Sequence, residues 1–194
     1  MNSTTASSTA CALPGRQRFI FIAGVACSLA HSAFAGEPGK LTREVWLNVP
    51  GGQLEEFTFS PRSWQAADSV STFAGAVAPS DTVDNFAARI RGYVTAPVSG
   101  EYTFWIASDD DSELYLSTGD SKFNRVKIAS LSGFVSPQAW DVKPTQKSVF
   151  VTLEAGHKYF IEALQKDGLY GDHLALAWQV PGADRELIPA SALE

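Results

Sequence analysis

The 194-residue sequence predicts an all-β fold, an antiparallel β-sandwich. No stretch after residue 35 keeps a helical spacing of apolar residues over eleven or more positions. Instead, several short segments have the period-two alternation of strands, as Tyr102, Phe104 and Ile106 do with the residues between them. Turn-forming residues such as Pro97–Gly100 separate these segments at fairly regular intervals. Successive hairpins with more than one apolar face predict two antiparallel sheets packed together.

The first 35 residues have the layout of a secretory signal peptide. A polar stretch with Arg16 and Arg18 precedes the mostly apolar residues 19–35, which end in the cleavage pattern A-F-A. We therefore expect a cleaved signal peptide at residues 1–35 and a single domain at residues 36–194. Both cysteines lie in the first segment, so we expect a domain without disulfides.

Strand candidates follow one another along the predicted domain. Residues 50–86 are expected to be irregular loops with at most one weak strand. The predicted strands lie at residues 42–48, 88–94, 102–107, 114–116, 126–129, 149–153, 158–164 and 174–178. Their period-two spacing predicts a core that contains Leu114, Leu116, Val151, Ile161, Leu174 and Trp178.

Three consecutive aspartates, Asp109 to Asp111, form the densest cluster of charge in the sequence. Adjacent carboxylates repel one another, and such oxygen-rich clusters suit calcium, which takes about six to eight oxygen ligands. A second acidic loop, residues 165–173 (QKDGLYGDH), offers further oxygens. The alternative is a solvated turn, because aspartate favours turns. The sequence alone leaves open whether the two loops meet.

The sequence has none of the common catalytic motifs. It contains no G-x-S-x-G elbow, P-loop or G-x-G-x-x-G. The adjacent Asp109 and Asp110 do not fit the separated carboxylates of a glycosidase. His157 and His173 are the only histidines after residue 35, where no cysteine accompanies them, so a zinc site is not expected. We therefore expect a protein that is not an enzyme.

The charge of the chain argues against two classes of partner. Removal of the predicted signal peptide would take away two arginines and no acidic residue, so the net charge would change from −6 to −8. An acidic chain without a basic cluster is not typical of nucleic-acid binding, and we expect no membrane insertion after signal cleavage.

Three segments of the sequence resemble the protective-antigen-fourteen domain family. They are IRGYVTAPVSGEYTFWIASDDDSELYLST (residues 90–118), LEAGHKYFIEALQKDGLYGDHLALAWQVPG (residues 153–182) and IPASAL (residues 188–193). The opening TREVW, residues 42–46, is similar to the secreted bacterial branch of that family. The resemblance spans residues 38–193 and implies the β-sandwich of that family.

The resemblance also implies a binding site. In the lectin members of this family, two consecutive aspartates joined by a cis peptide bond hold calcium, which binds vicinal hydroxyls of a sugar. By resemblance this pair is Asp109 and Asp110, and Gln165 and Asp167 are expected to add oxygen ligands. The expected ligand-binding residues are Asp109, Asp110, Gln165, Tyr170, Asp172 and His173. The alternative for Tyr170 is a loop anchor packed on the domain.

Two classes of function follow from these observations. The first is a secreted, calcium-dependent carbohydrate-binding module of lectin or adhesin type, with glycans as partners. The second is a non-catalytic structural or protein-interaction domain of the cell envelope, in which the acidic loop is a turn or a stabilising metal site. Both imply a secreted protein in an extracellular, periplasmic or cell-surface location.

Overall fold

The computed structural model describes residues 36–80 and 83–194, so the predicted signal peptide lies outside the described residues. The strands of the described part are β1 (Lys40–Trp46), β2 (Ser69–Ala74), β3 (Ala87–Thr95), β4 (Gly100–Asp109), β5 (Ser112–Leu116), β6 (Val126–Leu131), β7 (Val151–Leu153), β8 (Lys158–Lys166), β9 (His173–Gln179) and β10 (Glu186–Leu187). Its helical turns are α1 (Glu55–Thr58) and the 3-10 turns Pro61–Trp64, Lys122–Asn124, Pro144–Gln146 and Ala190–Ala192. No helix in the described part of the chain is long and apolar enough to cross a membrane.

The strands form two antiparallel sheets. The six-stranded sheet has the order β2-β1-β3-β8-β5-β6, and the four-stranded sheet has the order β10-β9-β4-β7. The short turn between β3 and β4 takes the chain from one sheet to the other. The predicted all-β antiparallel sandwich is confirmed.

The main core lies between the sheets and contains most of the residues that the alternation predicted. Leu114, Leu116, Ile161, Leu174 and Trp178 are all buried, and Trp178 packs against Tyr102 with ring centroids 5.5 Å apart. Period-two placement of apolar side chains on paired strands is what brings them to this face.

The strand predicted at residues 149–153 is shorter than expected. β7 begins at Val151, which is only partly buried, and Val149 is 81% exposed. β7 is an edge strand with three residues, and its residues pair with the first three residues of β4. Val149 precedes this pairing, and its side chain lies outside the core.

Sheet register brings both acidic loops to one end of the sandwich. In the four-stranded sheet, Asp109 at the end of β4 pairs with His173 at the start of β9. In the six-stranded sheet, Ser112 at the start of β5 pairs with Gln165 near the end of β8. The loop between β4 and β5 therefore lies beside the loop between β8 and β9.

Candidate functional site

The peptide bond between Asp109 and Asp110 is cis. Backbone and side-chain hydrogen bonds hold this bond in place from two sides. Ser108 Oγ donates to the Asp110 carbonyl oxygen at 2.8 Å, and the Asp110 amide donates to the Lys166 carbonyl oxygen at 3.1 Å. The aspartate pair is therefore attached directly to the last residue of β8.

The Asp110 carboxylate occupies a narrow space between two glycines. Its Oδ2 accepts a hydrogen bond from the Gly168 amide at 3.0 Å. A Cβ atom added to Gly52 would lie 2.7 Å from this oxygen, and one added to Gly168 would lie 3.1 Å from it. Glycine at both positions lets the backbone approach the carboxylate this closely.

The Asp109 carboxyl lies against Asp110 and near Asp172. Burial, the charge and hydrogen bond of Asp110, and the charge of Asp172 together raise the pKa of Asp109 to about 6. Two carboxyls in contact cannot both ionise without a cost, and a bound cation would remove that cost. The pair therefore has the electrostatics that favour a divalent cation.

Asp111 differs from its two neighbours. Its Oδ2 accepts a hydrogen bond from the Leu54 amide at 3.3 Å, and its Oδ1 accepts one from the Gly133 amide. Both carboxylate oxygens thus connect the loop between β4 and β5 to two remote loops. Asp111 has a structural role, and the acidic triplet divides into a pair at the site and a single residue that supports it.

Gln165 and Asp167 place buried oxygens close to the pair. Gln165 Nε2 donates to the carbonyl oxygens of Asp109 at 2.9 Å and His173 at 3.0 Å, which links the two loops. Gln165 Oε1 and both carboxylate oxygens of Asp167 are buried and have no hydrogen-bond partner among the described residues. Buried oxygens without donors suit a hard cation such as calcium.

Burial raises the pKa of Asp167 to about 7, with the charges of Asp172 and Asp110 as further causes. Within residues 36–80 and 83–194, no group of three or more acidic, histidine or cysteine side chains has the arrangement of a metal site. An ion at this place would therefore need amide or backbone oxygens, such as Gln165 Oε1, beside the carboxylates. This donor set fits calcium better than zinc.

A cavity of about 320 Å³ opens beside Asp109. Its walls include Asp172 and His173 from the second loop and the largely exposed Phe134 from the loop after β6. Tyr170 lies in the same second loop, is 88% exposed and donates its amide hydrogen to Asp84 Oδ1 at 3.1 Å. Tyr170 therefore is not an anchor packed on the domain.

Three residues at this end of the sandwich were missed by the sequence patterns: Arg43, Phe134 and Lys166. Arg43 of β1 is 5% exposed, and its guanidinium lies 5.1 Å from the Phe86 ring centroid. Burial lowers the pKa of Arg43, while the charges of Asp172 and Asp167 act in the opposite direction. The alternation in β1 contains the relevant signal, because Arg43 shares a face with core residue Leu41.

The chain belongs to the PA14 domain family, which matches residues 55–192 and is the protective-antigen-fourteen family that the sequence resembles. Fibrocystin-L of Mus musculus is 32% identical over 142 residues, or 71% of this chain and 3% of that protein. The N-acetyl-beta-glucosaminyl-glycoprotein 4-beta-N-acetylgalactosaminyltransferase 1 of Mus musculus is 30% identical over 114 residues, or 55% of this chain and 11% of that protein. The chain thus spans a small part of these relatives.

Solved structures share the same fold. The A domain of epithelial adhesin 9 from Candida glabrata, in complex with Galb1-4GlcNAc, matches with a TM-score of 0.56 and 12% identity, over 79% of this chain and 87% of that chain. A PA14 sugar-binding domain from an RTX adhesin matches with a TM-score of 0.55 and 15% identity, over 81% of this chain and 99% of that chain.

Proposed function

We propose that this protein is a secreted, non-catalytic module that binds carbohydrate in a calcium-dependent manner. The observation that carries the proposal is the pair Asp109 and Asp110, whose carboxyls lie together beside Gln165, and Gln165 Oε1 has no hydrogen-bond partner among the described residues. Asp109 and Asp110 would hold the ion, with Gln165 and Asp167 as further oxygen donors. When bound, calcium would supply a Lewis-acidic centre for two vicinal hydroxyls of a sugar.

The other residues at this end would shape the sugar site. Gln165 fixes the distance between the two loops through its two amide hydrogen bonds. Asp172 and His173 line the cavity beside Asp109 and offer polar contacts. Phe134 and Tyr170 are 69% and 88% exposed, so each presents an aromatic surface that can cover the apolar face of a sugar ring.

Two structural neighbours support this choice of ligand. One neighbour was solved in complex with Galb1-4GlcNAc, and another is described as a sugar-binding domain of an adhesin. Secretion rests on the predicted signal peptide at residues 1–35. A shallow site of this kind is expected to bind with a Kd of roughly micromolar to millimolar per copy, so several copies would be needed for strong attachment.

A glycan array tests the proposal directly. The protein should bind sugars with vicinal diols in millimolar calcium and lose that binding in chelator. Asp110→Asn should lose it in both conditions, whereas Asp111→Asn should keep it. Nuclear magnetic resonance shifts on titration should cluster at residues 108–112 and 165–173. Binding that survives chelation or maps elsewhere would contradict the ion-mediated mechanism.

The second candidate is a structural or protein-interaction domain of the cell envelope. The observation that favours it is the extensive hydrogen bonding of Asp111 and Gln165, which orders both loops through protein contacts. In that case calcium would change the melting temperature little, and no glycan would bind in either condition. The array and a melting curve together distinguish the two candidates.

A further inference from the structure

Lys166 is a fully buried lysine next to the acidic loops, and the proposed function gives it no role. It is the last residue of β8, and its exposed fraction is 0%. Its ammonium Nζ donates hydrogen bonds to the backbone oxygens of Gly51 and Asp167, the second at 2.5 Å. Lysine is almost never fully buried unless its charge is paired, so this position requires a physical reason.

The surroundings of Lys166 are rich in negative charge and in hydrogen-bond acceptors. Burial lowers the pKa of Lys166, and the negative charges of Glu56, Asp167 and Asp110 act in the opposite direction. The backbone of Lys166 is bonded to the acidic triplet as well. Its carbonyl accepts from the Asp110 amide at 3.1 Å, and its amide donates to the Asp111 carbonyl at 2.9 Å. Lys166 therefore contacts the aspartate loop through its backbone and faces its charge through its side chain.

The hydrogen bond to Gly51 connects β8 to a segment that is far away in the sequence. Gly51 precedes Gly52, which lies against the Asp110 carboxylate, and the Gly52 carbonyl accepts a hydrogen bond from the Asp111 amide at 3.4 Å. The Gly51–Gly52 segment is thus one wall of the space that holds Asp110. Lys166 fixes this wall, and Gly168 on the following loop lies against both the Asp110 carboxylate and Gly51.

We propose that Lys166 is an internal counter-ion of the acidic loops. Its positive charge keeps the Asp110 carboxylate and the Gly51–Gly52 segment in position without a metal ion, and it weakens calcium binding by like-charge repulsion. Lys166 is a positioning residue in this role. The positioning role rests on the contacts of Lys166 alone, whereas the repulsion rests on the proposed calcium site. The consequence is a domain that stays folded when calcium is removed and binds calcium reversibly.

Two substitutions separate the charge of Lys166 from its hydrogen bonds. Lys166→Gln keeps an amide donor without the charge, and Lys166→Met removes both. The matched control is Lys158→Gln at the other end of the same strand, where the lysine is half-exposed and pairs with Glu194 at 2.5 Å. Melting temperatures are measured in chelator and in millimolar calcium, and the calcium Kd is measured by isothermal titration calorimetry.

Both Lys166 variants should melt about 5 °C or more below wild type in chelator, and the control within about 2 °C of it. Calcium should raise the melting temperature of Lys166→Gln more than that of wild type. The calcium Kd of Lys166→Gln should fall by about tenfold or more, because a like charge has been removed from the site.

The possible failures are distinguishable. If Lys166→Gln and the control melt equally in chelator, the positioning role is wrong, even when wild type binds calcium and sugar. If Lys166→Gln is destabilised but its calcium Kd is unchanged or higher, the repulsion is wrong. If no variant binds calcium, the proposed function and the repulsion both fail, and the chelator measurement still decides the positioning role.

Native-state hydrogen exchange covers the case in which both Lys166 variants fail to fold. In wild type without calcium, the amides of Asp110 and Gly168 donate to the Lys166 carbonyl and to Asp110 Oδ2. Both amides should then be protected to the same degree as amides within β8. Fast exchange of these two amides in chelator would overturn the inference, since it would show that the loop is not held without the ion.

Discussion

Asp110→Asn is expected to remove the calcium-dependent part of the stability of the domain. Asparagine has almost the same volume as aspartate, so it fits between Gly52 and Gly168. Its Oδ1 can still accept the hydrogen bond that the Gly168 amide donates to Asp110 at 3.0 Å. What the substitution removes is the negative charge, and calcium requires that charge.

The magnitude follows from ligand linkage. A ligand that binds only the folded state at a hundredfold excess over its Kd adds about 2.7 kcal/mol to the free energy of unfolding. At roughly 2–4 °C per kcal/mol for a domain of this size, calcium should raise the wild-type melting temperature by about 5–10 °C. Asp110→Asn should show a rise of less than about 2 °C under the same conditions.

The assay is thermal unfolding in chelator and in millimolar calcium, with Asp111→Asn as the matched control. Asp111 accepts hydrogen bonds from the Leu54 and Gly133 amides, so its substitution should cost about 1–2 kcal/mol in both conditions. An equal calcium-induced rise in wild type and Asp110→Asn would refute the reasoning. So would a control that loses the calcium effect, because Asp111 would then be a ligand.

Three further predictions concern pH, loop packing and the core. In chelator, the free energy of unfolding should fall by about 2 kcal/mol between pH 4 and pH 7, after allowance for the solvent screening of groups that are not fully enclosed. The pKa values of Asp109 and Asp167 are raised in the folded state to about 6 and about 7, so the folded protein binds more protons than the unfolded chain over this range. Calcium should abolish this decline in urea unfolding curves, and a decline that persists at saturating calcium would contradict the prediction. Gly168→Ala should weaken calcium binding by about tenfold in calorimetry, since its Cβ would lie 3.1 Å from Asp110 Oδ2, and an unchanged Kd would show that the loop adjusts freely. Leu114→Ala should lower the free energy of unfolding by about 2–5 kcal/mol with and without calcium, because its side chain is fully buried.

The acidic triplet shows which features of the site the sequence predicts and which it does not. Resemblance to a family singled out Asp109 and Asp110 by their order in the chain, and the structure places a cis peptide bond between them. Nothing in three identical side chains distinguishes Asp111. Its role comes from amides that lie 57 and 22 residues away, and only the folded chain brings them to it.

The burial of Lys166 is a second feature that the sequence alone does not predict. Lys166 stands next to Gln165 at the end of β8, in a segment that composition alone would describe as polar and exposed, yet its exposed fraction is 0%. The environment of a lysine at the end of a strand depends on which segment covers it. Here the covering segment contains Gly51, whose carbonyl accepts the hydrogen bond from Lys166.

The sequence by itself determined the class of fold, the inward faces of the main strands and the position of the aspartate pair. These features depend on period-two alternation and on short motifs, which are properties of neighbouring residues. The tertiary structure alone decided that the two acidic loops meet, that Val149 lies outside the core, and that Lys166 is buried beside the acidic residues. These features depend on the register between strands that are distant in the chain, since a pairing such as Asp109 with His173 joins residues that no local pattern relates.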